Sequence, residues 1–116
     1  MQQATFDAAH HFPNEPEGSI YRRVHGHSFT VEATVRSETL DAEHGWVADL
    51  GALDRALKAA AETLDHGMLN EHPGLELPSL ENLCQWFART LRPDWPGLCR
   101  IQVARPTINE RCVLTL

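Results

Sequence analysis

Apolar and polar residues alternate along two segments in the first third of the chain, the pattern of half-buried β-strands. The first segment is 5–12, and one of its faces would carry Phe6, Ala8, His10 and Phe12. The second is 25–36, and its corresponding face would carry His25, His27, Phe29, Val31, Ala33 and Val35. A break at 14–18 that contains proline and glycine separates the two predicted strands.

Two later segments repeat apolar residues at spacings of three and four, which predicts amphipathic helices. The first helix is predicted at Leu50–Leu64, with Asp49 as its N-cap. The second is predicted at Leu80–Leu91, with Ser79 as its N-cap and Pro93 placed to stop it.

Strand-like patterns return near the end of the chain, at 98–104 and 111–116, around a turn that contains Pro106 and Asn109. The predicted order is therefore β-β-α-α-β-β. A parallel sheet would need helical crossovers that this order does not provide. We predict an α+β fold, with a four-stranded antiparallel sheet and both helices on one face.

Composition narrows the class of protein. The 116 residues, 42% hydrophobic and 22% charged, are typical of one globular domain spanning 1–116. A net charge of -6 gives no basic surface, so we expect no nucleic-acid partner. No apolar run or leader pattern predicts a membrane partner or export, so we expect a cytoplasmic protein. The three cysteines form no Cys-x-x-Cys pair and are predicted to be free, buried thiols: Cys84, Cys99 and Cys112.

Three histidines fall on the predicted core faces of neighbouring strands. His25 and His27 are two residues apart, so both would reach one metal ion, and His10 would complete a three-nitrogen site. Such a site leaves a fourth position open, which is typical of catalytic zinc. Each histidine alone is more typical of a hydrogen-bonded core residue, but the three together indicate a metal site. The other histidines considered, expected at the surface, are His11, His44 and His72.

Several motifs resemble those of one known family. The segment 6–10 reads Phe-Asp-Ala-Ala-His, and 25–28 reads His-Gly-His-Ser. Further matching motifs are 45–49, 64–66, 69–70, 73–76 and 78–81. Together they resemble the 6-pyruvoyl-tetrahydropterin synthase family, whose bacterial branch includes 6-carboxytetrahydropterin synthase.

The resemblance implies a T-fold whose trimers close their sheets into a barrel and usually pair as hexamers. It implies a Zn²⁺ cofactor on His10, His25 and His27, and a small pterin-like substrate such as 7,8-dihydroneopterin triphosphate. Asp65 and His66 would be an acid/base pair acting from a neighbouring subunit, although a helix end before a turn would also explain them. It further implies substrate-binding roles for two residues, Glu81 and Thr107.

Two positions depart from the family pattern. Tyr21 stands where synthases of the family carry the cysteine that abstracts a proton, four residues before His25. Pro106 stands where they carry the glutamate that binds the pterin, and proline offers neither a carboxylate nor an amide hydrogen. Glu110 is nearby in sequence, but its use would require a rearranged turn.

These observations leave three interpretations open. The first is a zinc-dependent lyase acting on a pterin triphosphate or a related compound, in which Tyr21 or His66 replaces the cysteine. Within it, the substitution would divert the same substrate to another side-chain cleavage. The second is a T-fold oligomer that binds zinc and another heterocycle without catalysis, and the third is an assembly module with a structural metal.

Overall fold

Four strands form one antiparallel sheet in the order β1-β2-β3-β4, and two helices lie between the second and third strands in sequence. The computed structural model describes residues 1–116. The elements are β1 Gln2–His10, β2 His25–Val35, α1 Leu50–Leu64, α2 Leu80–Leu91, β3 Leu98–Arg105 and β4 Glu110–Thr115. The predicted α+β architecture and its element order are confirmed.

Both helices have the predicted bounds because side chains cap their first turns. The Asp49 carboxylate accepts a hydrogen bond from the amide of Ala52, and the Ser79 hydroxyl accepts one from the amide of Asn82. These bonds satisfy amides that have no partner inside the helix. No helix has both the length and the apolar character needed to cross a membrane.

The prediction for β1 was wrong at both ends. Its first residue is Gln2 rather than Thr5, because Gln2 already pairs with Ala33 of β2. It ends at His10 rather than Phe12, because His10 and His25 form the last pair of the ladder. The Phe12 amide instead donates to the carbonyl of Tyr21 across the following loop. The other three strands differ from prediction by one residue at an end or at each end.

The core lies between the sheet and the two helices. Phe6 of β1 stacks on its cross-strand partner Phe29 of β2, with ring centroids 5.0 Å apart, and Phe87 of α2 packs against Phe6. The buried face of β1 continues through Ala8 to His10, which has no exposed surface. The core therefore extends up to the first of the predicted metal ligands.

All three cysteines are free, as predicted, and only Cys84 is fully buried. Cys99 and Cys112 are partly exposed. Burial raises the pKa of the Cys84 thiol to about 12, so this thiol is protonated at neutral pH.

Replacing the aromatic anchor of α2 tests this packing. Phe87→Ala should lower the free energy of unfolding by about 3–5 kcal/mol, because it leaves a cavity against Phe6. Urea denaturation followed by circular dichroism measures the loss. Gln85→Ala, at an exposed position of the same helix, is the control and should change stability by less than about 0.5 kcal/mol.

Candidate metal centre and active site

The register of β1 and β2 brings three histidines together at one end of the sheet. His10 lies directly across from His25, and His27 lies across from Ala8. Because side chains two residues apart share a face, all three imidazoles lie on the same side of the sheet. One nitrogen from each lies within 4.8 Å of the others, which is close enough to surround one metal ion.

The hydrogen bonds of these rings fix their tautomers. The Nδ1 atom of His10 lies 3.3 Å from the carbonyl oxygen of Pro78, and Nδ1 of His25 lies 2.6 Å from that of Arg23. A carbonyl only accepts, so each Nδ1 carries the proton and each Nε2 of the neutral ring presents a lone pair. The two Nε2 atoms are 3.0 Å apart. Two facing lone pairs at this distance repel each other unless a proton or a metal ion lies between them.

Burial favours the neutral form of two of these imidazoles, His10 and His27. Desolvation, reinforced by the neighbouring His25 and His27, lowers the pKa of His10 to about 4. Desolvation also lowers the pKa of His27, and the nearby charge of Arg105 lowers it further. The Nε2 atom of His27 is buried and has no hydrogen-bond partner. Neutral nitrogens with free lone pairs fit zinc or another transition metal of similar ligand preference.

A cavity of about 810 Å³ opens beside this cluster. Its walls include His25 and His27 together with Tyr21, Arg105 and Glu110. The remaining walls are largely apolar or aromatic. A small planar ligand in this cavity would therefore contact both the histidine cluster and charged side chains.

Tyr21 lies in a short 3-10 helix, Ile20–Arg22, whose first turn is capped by the hydroxyl of Ser19. Tyr21 is 57% exposed and lines the cavity. Tyr21 thus lines the same cavity as His25 and His27, and its role as a substitute for the cysteine stays a prediction. Arg23 also lines this cavity.

Asp65 and His66 follow α1 and lie against the free edge of β1. The His66 amide donates to the carbonyl of Asp7, and the Asp7 amide donates to the Asp65 carboxylate at 2.8 Å. His66 has a φ of 58°, which is uncommon for a residue with a side chain. These contacts position the Asp65 carboxylate 2.8 Å from Nδ1 of His66.

The hydrogen bond between Asp65 and His66 shifts the pKa of both side chains. Its hydrogen bond to Asp65 raises the pKa of His66, and the Asp7 amide, followed by His66, lowers the pKa of Asp65. The Asp65 carboxylate holds the Nδ1–H tautomer, so Nε2 of His66 is free to take up a proton.

His66 does not share a cavity with Tyr21. It lines a second, more open cavity of about 670 Å³, with His27, Asp7 and Ser28 among the other lining residues. The Ser28 hydroxyl donates to the Asp7 carboxylate in this cavity. Within one chain, the predicted acid/base pair and the predicted substitute for the cysteine therefore lie in different cavities, both of which reach His27.

The two predicted substrate-binding residues are both exposed. Glu81 is exposed in the first turn of α2, and Thr107 is exposed in the 3-10 turn Pro106–Ile108. Neither lines the two cavities described above. Their role stays a prediction. Of the histidines expected at the surface, His44 is exposed, whereas His11 and His72 are partly buried.

Sequence reasoning missed Arg105 and underestimated Glu110. The 3-10 turn and a left-handed Asn109, with φ of 56°, make Glu110 the cross-strand partner of Arg105. The Arg105 Nη2 atom donates to the Glu110 carboxylate at 2.7 Å. The alternation of Ile101, Val103 and Arg105 could have placed Arg105 on the core face, at the end of β3 that adjoins the start of β2.

Comparison with known proteins identifies the family. The family model described as 6-pyruvoyl tetrahydropterin synthase matches residues 1–115. This chain belongs to that family. A 6-carboxy-5,6,7,8-tetrahydropterin synthase of Synechocystis sp. is 37% identical over 107 residues, which cover 88% of this chain and 81% of the relative. A dihydroneopterin monophosphate aldolase of Pyrococcus furiosus is 32% identical over 97 residues, which cover 84% of this chain and 77% of the relative.

Solved structures agree with this family on the fold. The 6-pyruvoyl tetrahydropterin synthase of Caenorhabditis elegans matches with a TM-score of 0.83 at 20% identity, covering 99% of this chain and 92% of that one. A protein of Wolinella succinogenes matches with a TM-score of 0.79 at 17% identity, covering 98% of this chain and 95% of that one. The predicted T-fold is confirmed.

Removing one predicted ligand of this family member tests the candidate metal centre. His27→Ala should abolish stoichiometric binding of Zn²⁺ without unfolding the sheet, because His27 is a partly exposed residue at the sheet end. Calorimetric titration with zinc measures binding, and circular dichroism checks the fold. His44→Ala, in an exposed loop, should bind zinc as the unmodified protein does. Undiminished zinc affinity in His27→Ala would show that the ligands are others.

The acid/base pair predicts a second measurable effect. Asp65→Asn should lower the pKa of His66 toward its ordinary value, because the charged acceptor at Nδ1 is lost. In the unmodified protein the pair stabilises the fold below the ordinary histidine pKa, and this contribution disappears as pH rises through the raised pKa. Titration of the imidazole signals by NMR measures the shift. Asp94→Asn, a change at an exposed position, should leave the His66 titration unaltered.

Proposed function

We propose that this protein is a zinc-dependent lyase of pterin metabolism that cleaves the side chain of 7,8-dihydroneopterin triphosphate or a related dihydropterin. The observation that carries the proposal is the facing pair of Nε2 atoms of His10 and His25, 3.0 Å apart beside a cavity of about 810 Å³. Both curated relatives described above bear names of pterin enzymes.

Backbone carbonyls orient two of the proposed metal ligands. The carbonyls of Pro78 and Arg23 hold the rings of His10 and His25 by their Nδ1 atoms, so Nε2 of each ring faces the centre. Zinc bound there would act as a Lewis acid toward an oxygen of the substrate side chain. The three histidines leave a coordination position open, and the cavity lies beside them.

Two groups of this chain are candidates for moving the proton. His66 is held by Asp65 with its Nε2 free, which suits a general base or acid near neutral pH. Tyr21 reaches the cavity beside the histidines and occupies the position of the family cysteine. We propose that His66 is the base and that the Tyr21 hydroxyl contributes a hydrogen bond to the reacting side chain.

The separation of the two groups supports an oligomer as the active form. The His66 side chain is 80% exposed, and it lies in a different cavity from Tyr21. A second subunit that brings its own Asp65 and His66 to the Tyr21 cavity would complete the site. We therefore propose a trimer or hexamer in which neighbouring subunits share each active site.

A second candidate function is a zinc-binding T-fold oligomer that binds another heterocycle without catalysis. Tyr21 and Pro106 favour it, because the synthase cysteine and the pterin-binding glutamate are both absent. Binding of a heterocycle without turnover would distinguish this candidate from the lyase. The product of the lyase is also left open, since the two relatives carry names of different reactions.

Turnover of a defined substrate separates the two candidates. We expect zinc-loaded protein to consume 7,8-dihydroneopterin triphosphate or its monophosphate and to release triphosphate or a side-chain aldehyde. Mass spectrometry measures the released product. His66→Ala should slow turnover by about 10²–10⁴-fold, the usual effect of losing a general base. His44→Ala is the matched control and should retain full activity. If the unmodified protein shows no turnover and also binds no pterin, the lyase is rejected.

Substitutions of Tyr21 test its role directly. Tyr21→Phe should lower kcat more than it raises KM, because it removes one hydroxyl from the reacting end of the cavity. Tyr21→Cys should increase triphosphate release relative to other products, since it restores the family residue. Equal kinetics in the unmodified protein and Tyr21→Phe would exclude the hydroxyl from the reaction.

A further inference from the structure

Arg105 is a charged side chain held on the core side of the sheet. It is the last residue of β3, and it follows the buried residues Ile101 and Val103 on the same face. Its side chain is only 14% exposed, yet it reaches the cavity that His25 and His27 line. A guanidinium at such a position requires acceptors for its five N–H groups.

The guanidinium is only partly satisfied within the chain. Its Nη2 atom donates to the Glu110 carboxylate at 2.7 Å, whereas its Nε atom is buried and has no hydrogen-bond partner. Arginine binds carboxylate and phosphate groups through two adjacent N–H donors. Glu110 occupies one donor of the group and leaves Nε unpaired. The side chain of Glu110 is 50% exposed, so it is free to turn toward solvent.

The charges around the cavity favour an anionic ligand. Two arginines, Arg23 and Arg105, face two glutamates, Glu15 and Glu110, so the lining is neutral as a whole. A divalent metal on neutral imidazoles would add positive charge that no lining group compensates. Arg105 lines the same cavity as His25 and His27, so its guanidinium lies beside the histidine cluster. An oxyanion between the guanidinium and the metal would balance both charges.

We propose that Arg105 is a substrate-binding residue that receives an anionic oxygen group of the ligand, a phosphate or a carboxylate, in place of Glu110. Glu110 holds the guanidinium in position until the ligand arrives and then yields to it. This inference rests on the proposed function in that it takes the 810 Å³ cavity as the ligand site. It deepens that function by assigning a binding residue to the oxyanion of the heterocyclic ligand.

Anion binding to the zinc-loaded protein tests the proposal without turnover. Inorganic triphosphate and malonate serve as probes in calorimetric titrations, and the tighter one identifies the kind of oxyanion. Arg105→Gln should weaken binding of that probe at least tenfold. Arg105→Lys should weaken it less, because lysine keeps the charge but lacks the adjacent N–H donors of the guanidinium. Arg111→Gln, an equal charge change at an exposed residue of β4, should bind as the unmodified protein does.

Glu110→Gln gives the opposite expectation and guards against a folding artefact. Removing the competing carboxylate should tighten anion binding several-fold, whereas an anion held by the metal alone would respond to neither Arg105 nor Glu110. Zinc stoichiometry and thermal unfolding confirm that each variant is folded. If Arg105→Gln does not fold, Arg105→Lys and Glu110→Gln decide.

The outcomes separate this inference from the proposed function. Loss of anion affinity in the Arg105 variants supports the inference even if no pterin is consumed. Unchanged affinity in these variants, weaker binding in Glu110→Gln, or no binding of either probe to the unmodified protein would overturn it. Turnover whose kcat/KM is unaffected by Arg105→Gln would overturn it as well, while leaving the lyase assignment intact.

Discussion

The antiparallel pairing of β1 with β2 is the constraint on which the rest of the site depends. Its register sets Phe6 against Phe29 in the core and His10 against His25 at the end of the sheet. A slip by one residue would turn every side chain of one strand to the opposite face, so packing of the aromatic pair also fixes the histidines. The histidine cluster is in this sense a continuation of the hydrophobic core, with its geometry set by apolar contacts.

That continuity explains why the cluster is suited to a metal. Burial disfavours a second proton, and its positive charge, on the ring of His10. The one N–H of the neutral ring donates to the Pro78 carbonyl. The same arrangement at His25 leaves two lone pairs opposed across 3.0 Å. A cation bound between them would relieve this repulsion in the folded chain alone, so we expect metal binding to stabilise this end of the sheet.

The remaining functional groups divide between two sides of His27. Tyr21, Arg105 and Glu110 lie in the cavity beside the cluster, whereas His66 lies with Asp65 along the free edge of β1. The Asp7 carbonyl accepts from the His66 amide and the Asp7 amide donates to the Asp65 carboxylate, which holds the acid/base pair at the surface with its imidazole largely exposed. One chain thus carries two parts of a centre that it does not bring together by itself, which makes subunit contact part of the proposed chemistry.

The sequence by itself determined both helices, the α+β order, the common face of the three histidines and the family resemblance, because periodicity, caps and motifs are local. Only the tertiary structure decided where β1 ends, since a strand stops where its partner does. It alone paired Arg105 with Glu110, because that contact depends on the left-handed Asn109 in the turn. The opposed lone pairs likewise depend on carbonyls of Pro78 and Arg23, which only the folded chain brings to the rings.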